Sequence, residues 1–298
     1  MKTIVAFILL FFCFEAQEVW SQRIDKQTLI EDIRYLASDE LQGRAAMSEG
    51  NIKAGDFLAS RFDSLGLRSQ FPGYTEKFNL ERGNGTKGKG TNIIGFIPGS
   101  SSDQILLIMA HYDHLGMKGD VIYNGADDNA SGTAALLGMA AYLTENPPRH
   151  SVMLVATDAE ELGLLGARAL VNDFPFPLEQ IKVVINMDMI SRSDDNTLYA
   201  VGTRFYPQFR DYLLQAAAKS PIRLVLGNDG GPGEKDWSRA SDHGPFHERQ
   251  VPFIYFGVDD HRDYHQPTDT FENIQQEFYL QAAELVLETI VGIDQSIP

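Results

Sequence analysis

The stretch "AHYDHLGMKGDVIYNGADDNASG", Ala110 to Gly132, places two histidines and four aspartates directly after the apolar run "ILLIM". Imidazoles and carboxylates at the end of a core strand are costly to desolvate unless they are paired, hydrogen-bonded or bound to a metal. Three more segments repeat the pattern. "TDAEELGLLGA" follows "SVMLVA", "NMDMIS" follows "KVVI", and "DYHQPTDTFENI" sets His265 in a proline-containing loop before the last helix.

Each segment can do chemistry, and each has a plainer reading. In an extended chain His111 and Asp113 point the same way, so the aspartate can hold one ring nitrogen and aim the other at a cation. The same pair can be a surface ion pair. In "GADDNASG", an aspartate can bridge two cations, or Asp127 or Asp128 can cap the following helix. Of Glu160 and Glu161, one can bind a metal while its neighbour stands beside an attacking water as base. Acids in a helix's first turn would look the same. Asp188 lies amid apolar residues, where a carboxylate needs a ligand or a network. Together His111, Asp128, Glu161, Asp188 and His265 form a set of two imidazoles and three carboxylates. That suits two zinc ions sharing one carboxylate, about 3.5–4 Å apart.

The elements that must position this set alternate along the chain. Strand candidates are "NIIGFI", "ILLIMAHYD", "SVMLVATD", "KVVINMDMI", "LYAVG", "IRLVL" and "PFIYFG". Helices are expected over Asp25–Arg44 and Asn51–Gly66, then over Ser131–Asn146, Leu162–Val171, Pro207–Lys219 and Glu272–Ile293. "GNGTKGKG" reads as a hairpin or loop. Near-continuous apolar strands between helices indicate a largely parallel sheet covered on both faces. The expected fold is an α/β, three-layer α/β/α sandwich with a mixed, mostly parallel central sheet. In such sheets ligands bind beyond the carboxyl ends of the strands.

Composition narrows the class. The 298 residues carry a formal charge of −16, which argues against nucleic acid or an anionic membrane as partner. A basic start at Lys2 precedes an apolar run from Ile4 to Phe14, within signal-peptide range and too short to span a bilayer. Residues 1–21 therefore read as an export signal, cleaved after Ser21 or Ala16, with 22–298 as one domain in the periplasm or medium. The single cysteine, Cys13, lies inside that signal, and "LFFC" lacks the small residues expected before a lipidated cysteine. Any metal must then use His, Asp and Glu.

At this point the chain resembles the M28 family of zinc peptidases, most of whose characterised members are co-catalytic aminopeptidases. The resemblance rests on "LASDELQGR" and "SEGNIKAGDFLASRFDSLGL", then "HYDHLG", "GADDNASG", "AEELGLLGA", "NMDMI", "SDHGPF" and "YHQPTDT" in order. It implies one zinc on His111 and Asp188, another on Glu161 and His265, and Asp128 between them with a cis peptide to Asn129. It further implies Glu160 as general base, Asp113 as the residue orienting His111, and Tyr264 as a donor to the reacting carbonyl oxygen. The substrate would be a peptide with a free N-terminus.

Rival readings are a single-zinc glutaminyl cyclase-like acyltransferase, a carboxypeptidase or dipeptidase on the same fold, and a non-catalytic interaction module. Arg204, Arg239 and Arg262 are the arginines available to a carboxylate clamp. Asp127 has no assigned role. Asp242 and His243 are read as supporting or pocket-forming, with Trp237 and Phe246 lining a pocket for an apolar side chain. His114, His247 and His261 are expected to be solvated or hydrogen-bonded, and His150 to lie on the surface. Asn84 begins a glycosylation sequon.

Overall fold

A computed structural model describes residues 22–296 apart from 82, 84 and 101. The expected export signal with Cys13, and Asn84 of the sequon, lie outside the described residues. Helix α1 (Lys26–Leu36) starts where Asp25 accepts the Thr28 backbone N–H at 2.8 Å, and it turns Leu29, Ile33 and Leu36 inward. Helix α2 (Glu49–Ser64) is capped in the same way by Ser48, whose hydroxyl accepts the Asn51 N–H.

Eight strands then build one sheet. They are β1 (Thr75–Glu81), β2 (Lys87–Ile97), β3 (Ser102–His111), β6 (His150–Thr157), β7 (Ile181–Met187), β8 (Thr197–Val201), β9 (Arg223–Leu226) and β10 (Phe253–Gly257), with a small separate hairpin of β4 (Gly116–Lys118) and β5 (Val121–Tyr123). Their order is β1-β2-β6-β3-β7-β10-β8-β9. The four central strands β6, β3, β7 and β10 are mutually parallel, so their carboxyl ends share one edge. The flanking pairs β1–β2, β2–β6 and β8–β10 are antiparallel. The sheet is mixed and mostly parallel, in agreement with the expected fold.

Side chains alternate between two cores. Leu106 and Ile108 of β3 pack with α1, α2, α3 (Gly132–Glu145) and α7 (Gln276–Ser296), together with α5 (Arg210–Lys219). Leu107 and Met109 face the other side, against α4 (Leu165–Asn172) and α6 (His243–Glu248). Each such Leu or Ile contributes about 1.5–3 kcal/mol on burial, so the strand register is strongly specified. Among the described residues no helix is long and apolar enough to cross a membrane.

The sequence pattern misses β1, because "TEKFNLE" buries only Phe78 and Leu80 as large apolar side chains. Its pairing depends on Gly90 opposite Phe78, where a side chain would meet the aromatic ring at 2.3 Å. Two strands also stop earlier than their apolar runs suggest. β3 ends at His111 and β7 at Met187, leaving Asp113 and Asp188 beyond the ladder rather than inside it. Met189, with φ of 62°, turns the chain away there.

Candidate metal centre

The carboxyl edge of the four parallel strands gathers the sequence-derived set. His111 ends β3, Glu160 and Glu161 follow β6, Asp188 follows β7, and His265 stands on the long loop after β10. Asp128 comes from the turn over Ala126–Ser131 that leads into α3, and the bond from Asp128 to Asn129 is cis. This turn is entered through Gly125 at φ of 60°. A Cβ there would come within 2.1 Å of the Asp128 carbonyl oxygen and 2.5 Å of the His114 ring.

Asp128 stands between two groups of donors. Its Oδ1 lies 3.3 Å from His111 Nε2, which is 3.1 Å from Asp188 Oδ1. Its Oδ2 lies 3.1 Å from His265 Nε2, which is 3.4 Å from Glu161 Oε2. Donors about 2.0–2.1 Å from one tetrahedral zinc stand about 3.3–3.4 Å from each other, so both groups have the spacing of a ligand shell. Such spacings also occur in plain ion pairs. The buried Glu161 Oε1 and both ring nitrogens of His114 complete no hydrogen bond among the described residues, a deficit that a cation would relieve. Divalent cations therefore fit this cluster: His111, Asp128 and Asp188 would hold one, and Asp128, Glu161 and His265 another.

Charge at the rim is lopsided without such ions. Burial pulls the His111 imidazole down, but Asp188 and Glu160 beside it hold it well above its usual range. Hydrogen bonds that His265 donates to Asp128 and Glu161 raise it to about 10. Burial pushes Asp128 up, yet the imidazoles of His114, His111 and His265 together carry it well below the ordinary carboxylate range. Glu160 moves the other way. Burial raises it well above that range, and Asp188, Asp242 and Glu161 add to the effect. Glu160 and Tyr264 line a cleft of about 100 Å³ with Asp128, Glu161, Asp188 and His265, and the Tyr264 ring stacks on His265 with centroids 3.9 Å apart. Trp237, Met189, Val258 and Asp260 form more of its wall.

Asp113 differs in detail from its expected geometry. His111 Nδ1 meets the Asp113 backbone carbonyl at 3.1 Å, while the nearer carboxylate oxygen is 3.8 Å away. That carboxylate instead accepts the backbone N–H of Glu160 at 3.0 Å and of Glu161 at 3.4 Å. It fixes the β6 turn as well as the β3 end, which spacing within "HYD" cannot reveal.

Other positioning residues had no assigned job in the sequence. Arg44 of "LQGR" is fully buried and donates to the carbonyls of Tyr112, Asn124 and Gly125, and to Leu36, clamping the strands' exit to the Asp128 turn. Asp269 of "PTDT" accepts the N–H groups of Asp127 and Asp128. Asp127 accepts from the Ser191 N–H and hydroxyl and lies 2.9 Å from His261 Nε2, so it joins the β7 exit to the His265 loop. Asn129 donates to the Met187 carbonyl and accepts the Met189 N–H, flanking Asp188.

Three histidine and pocket expectations change. His150 is fully buried, with Nδ1 3.0 Å from Asp294 Oδ1 at the far end of the sheet, because Asp294 on α7 also caps the start of β6. His114 is sealed against Glu161 and Asp128 rather than solvated. Phe246 is fully buried against Phe174 and does not line the cleft. Trp237 does reach the cleft, and His243 supports it through a 2.9 Å contact between Nε2 and the Trp237 carbonyl.

Comparison with known proteins places this arrangement. Residues 92–290 match the family described as Peptidase family M28. Aminopeptidase YwaD of Bacillus subtilis is 31% identical over 200 residues, covering 62% of this chain and 40% of that protein. The chain spans less than half the length of several curated relatives it matches. Among solved structures, BSAP, a zinc aminopeptidase from Bacillus subtilis, superposes with a TM-score of 0.77 at 19% identity, over 93% of this chain and 98% of that one. A glutaminyl cyclase from Bacteroides thetaiotaomicron, bound to N-acetylhistamine, superposes with a TM-score of 0.73 at 17% identity, over 92% and 99%. At these identities the structural likeness is one of fold.

Proposed function

We propose, from the premise that this chain belongs to peptidase family M28, that it is an exported aminopeptidase with two zinc ions per chain. Asp128 between two donor groups is the observation that carries the reading. When bound, the two ions would lower the pKa of a water toward neutrality and polarise the peptide carbonyl. Glu160, at the wall of the cleft, takes the proton of the attacking water and passes it to the leaving nitrogen. The Tyr264 hydroxyl donates to the carbonyl oxygen as negative charge develops there. Asp260 and the remaining carboxylate charge of the cleft attract a free α-amine, which favours removal of N-terminal residues. The basic, apolar start of the chain supports export, with 22–298 acting as one catalytic domain.

A glutaminyl cyclase-like activity is the second reading, and the structural likeness to such an enzyme favours weighing it. Metal analysis of the purified protein, followed by assays on an aminoacyl-anilide panel and an N-terminal glutaminyl peptide, tests both. Two zinc ions with anilide cleavage are expected. A single zinc with pyroglutamate formation overturns the peptidase reading. N-terminal sequencing of the exported protein tests cleavage after Ser21 or Ala16.

A further inference from the structure

We infer that cleavage after Ser21 creates a ligand within the chain itself: the α-ammonium of Gln22, held by Glu284 and Gln281 of α7. This rests on the export reading above and gives the released chain end a task. Residues 277, 281, 284 and 288 share one face of α7 by their spacing, and the segment entering α1 lies against it. Lys26 pairs with Glu277. Arg23 Nη1 lies 2.6 Å from Glu288 Oε2, and Lys219 of α5 pairs with Glu288 as well.

Glu284 is the exception on this face. It is 2% exposed, and among the described residues no cationic side chain stands within ion-pair distance of it. Its Oε1 accepts instead the consecutive backbone N–H groups of Arg23 and Ile24, each at 2.7 Å. Burial keeps this carboxyl above its ordinary range even with both N–H groups bound, so positive charge is in short supply there. Gln22 carries the next nitrogen along the chain and lines a cavity of about 460 Å³ together with Glu284, Gln281 and Lys219. Gln281 Oε1 is buried and completes no hydrogen bond among the described residues.

While the signal is attached, the Gln22 nitrogen is an uncharged peptide N–H. Cleavage turns it into an ammonium with three donors, next to a buried carboxylate and an idle amide oxygen. The competing account is that Glu284 only satisfies two backbone N–H groups. That account leaves Gln281 Oε1 without a task and makes stability indifferent to where the chain starts. Capture of the ammonium makes the released chain more stable than its precursor, because only the folded state binds it.

The mature chain, released from an N-terminal fusion so that Gln22 comes first and labelled with carbon-13 in glutamine, tests this. The Gln22 Cα resonance follows ionisation of its own amine. An amine pKa at least about one unit above the ordinary value of about 7.7–8.0 is expected. An ordinary value overturns the inference. Glu284→Gln keeps an acceptor for the two N–H groups but loses the charge, so it should return the amine to the ordinary range. An unmoved pKa in that variant also overturns it. Restoring Ser21 ahead of Gln22 should lower the thermal midpoint by about 2–4 °C, and equal midpoints count against the inference equally. Should Glu284→Gln not fold, the wild-type amine and this comparison decide. Closure of Gln22 to pyroglutamate with loss of ammonia overturns it too, since an amine held as ammonium cannot attack its own side-chain amide. N-terminal sequencing separates the two readings. Exported protein that starts at Gln17 overturns this inference alone, whereas failure of export removes the export reading and this inference with it.

Discussion

His111 and His243 are both sealed from solvent beside the same edge of the sheet, yet burial has opposite outcomes for them. His111 faces Asp128, Asp188 and Glu160, which hold it well above its usual range. His243 lies between Phe253 and Tyr255, with ring centroids at 4.6 and 4.7 Å, and burial drives it down to about 3. Its two nitrogens are used as a neutral ring requires. Nε2–H donates to the Trp237 carbonyl, and Nδ1 accepts from Asn186. Depth therefore does not mark a ligand. What separates the two regions is uncompensated carboxylate charge, which makes one a place for cations and the other a prop for the cleft wall.

The largest effect expected on the charged side is loss of turnover without loss of metal. Glu160→Gln should lower kcat by about 10²–10⁴-fold while zinc content and thermal midpoint stay near wild type. A fully active variant would remove Glu160 from the mechanism. A smaller effect, of a different kind, separates the two histidines. His243→Gln should cost about 1–3 kcal/mol in denaturant unfolding, through lost ring packing, with both metals retained. His111→Gln should instead shed the zinc expected between His111, Asp128 and Asp188. If His243→Gln also sheds zinc, the distinction between prop and ligand fails.

The remaining test is a pH dependence. Above about 6.5 the His243 ring is neutral whether folded or unfolded. As pH falls from about 6.5 toward 3, the unfolded chain binds a proton that the folded protein refuses. Each pH unit in that window then removes about 1.4 kcal/mol of stability. The wild type should lose more stability than His243→Gln between pH 7 and pH 5. Parallel loss in the two proteins would show that the ring is not held neutral.

How much of this was legible beforehand varies by element. The central strands were readable because their apolar runs are fully buried and end in conspicuous polar residues. β1 was not, since its inward face is Glu76, Phe78 and Leu80, with a glycine opposite the phenylalanine. His111, Asp128, Glu161, Asp188 and His265 were legible as a set because four strand ends carried unusual charge, and the structure brings all five together. Arg44 and Asp269 were quoted within motifs but given no task. Their role is to satisfy backbone groups of turns distant in sequence, and no local pattern encodes that partner. The burial of His114 and His150 was hidden for the same reason.

Local sequence determines the alternation of apolar strands and helices here, and with it the donors available and the edge on which they fall. Periodicity and burial act over a few residues, so they can be read along the chain. Which nitrogen faces which oxygen is decided only when β6, β3, β7 and β10 align and the turn after Gly125 is clamped by Arg44, Asp269 and Asn129. That choice depends on angles and distances among groups far apart in sequence, and tertiary packing alone supplies them.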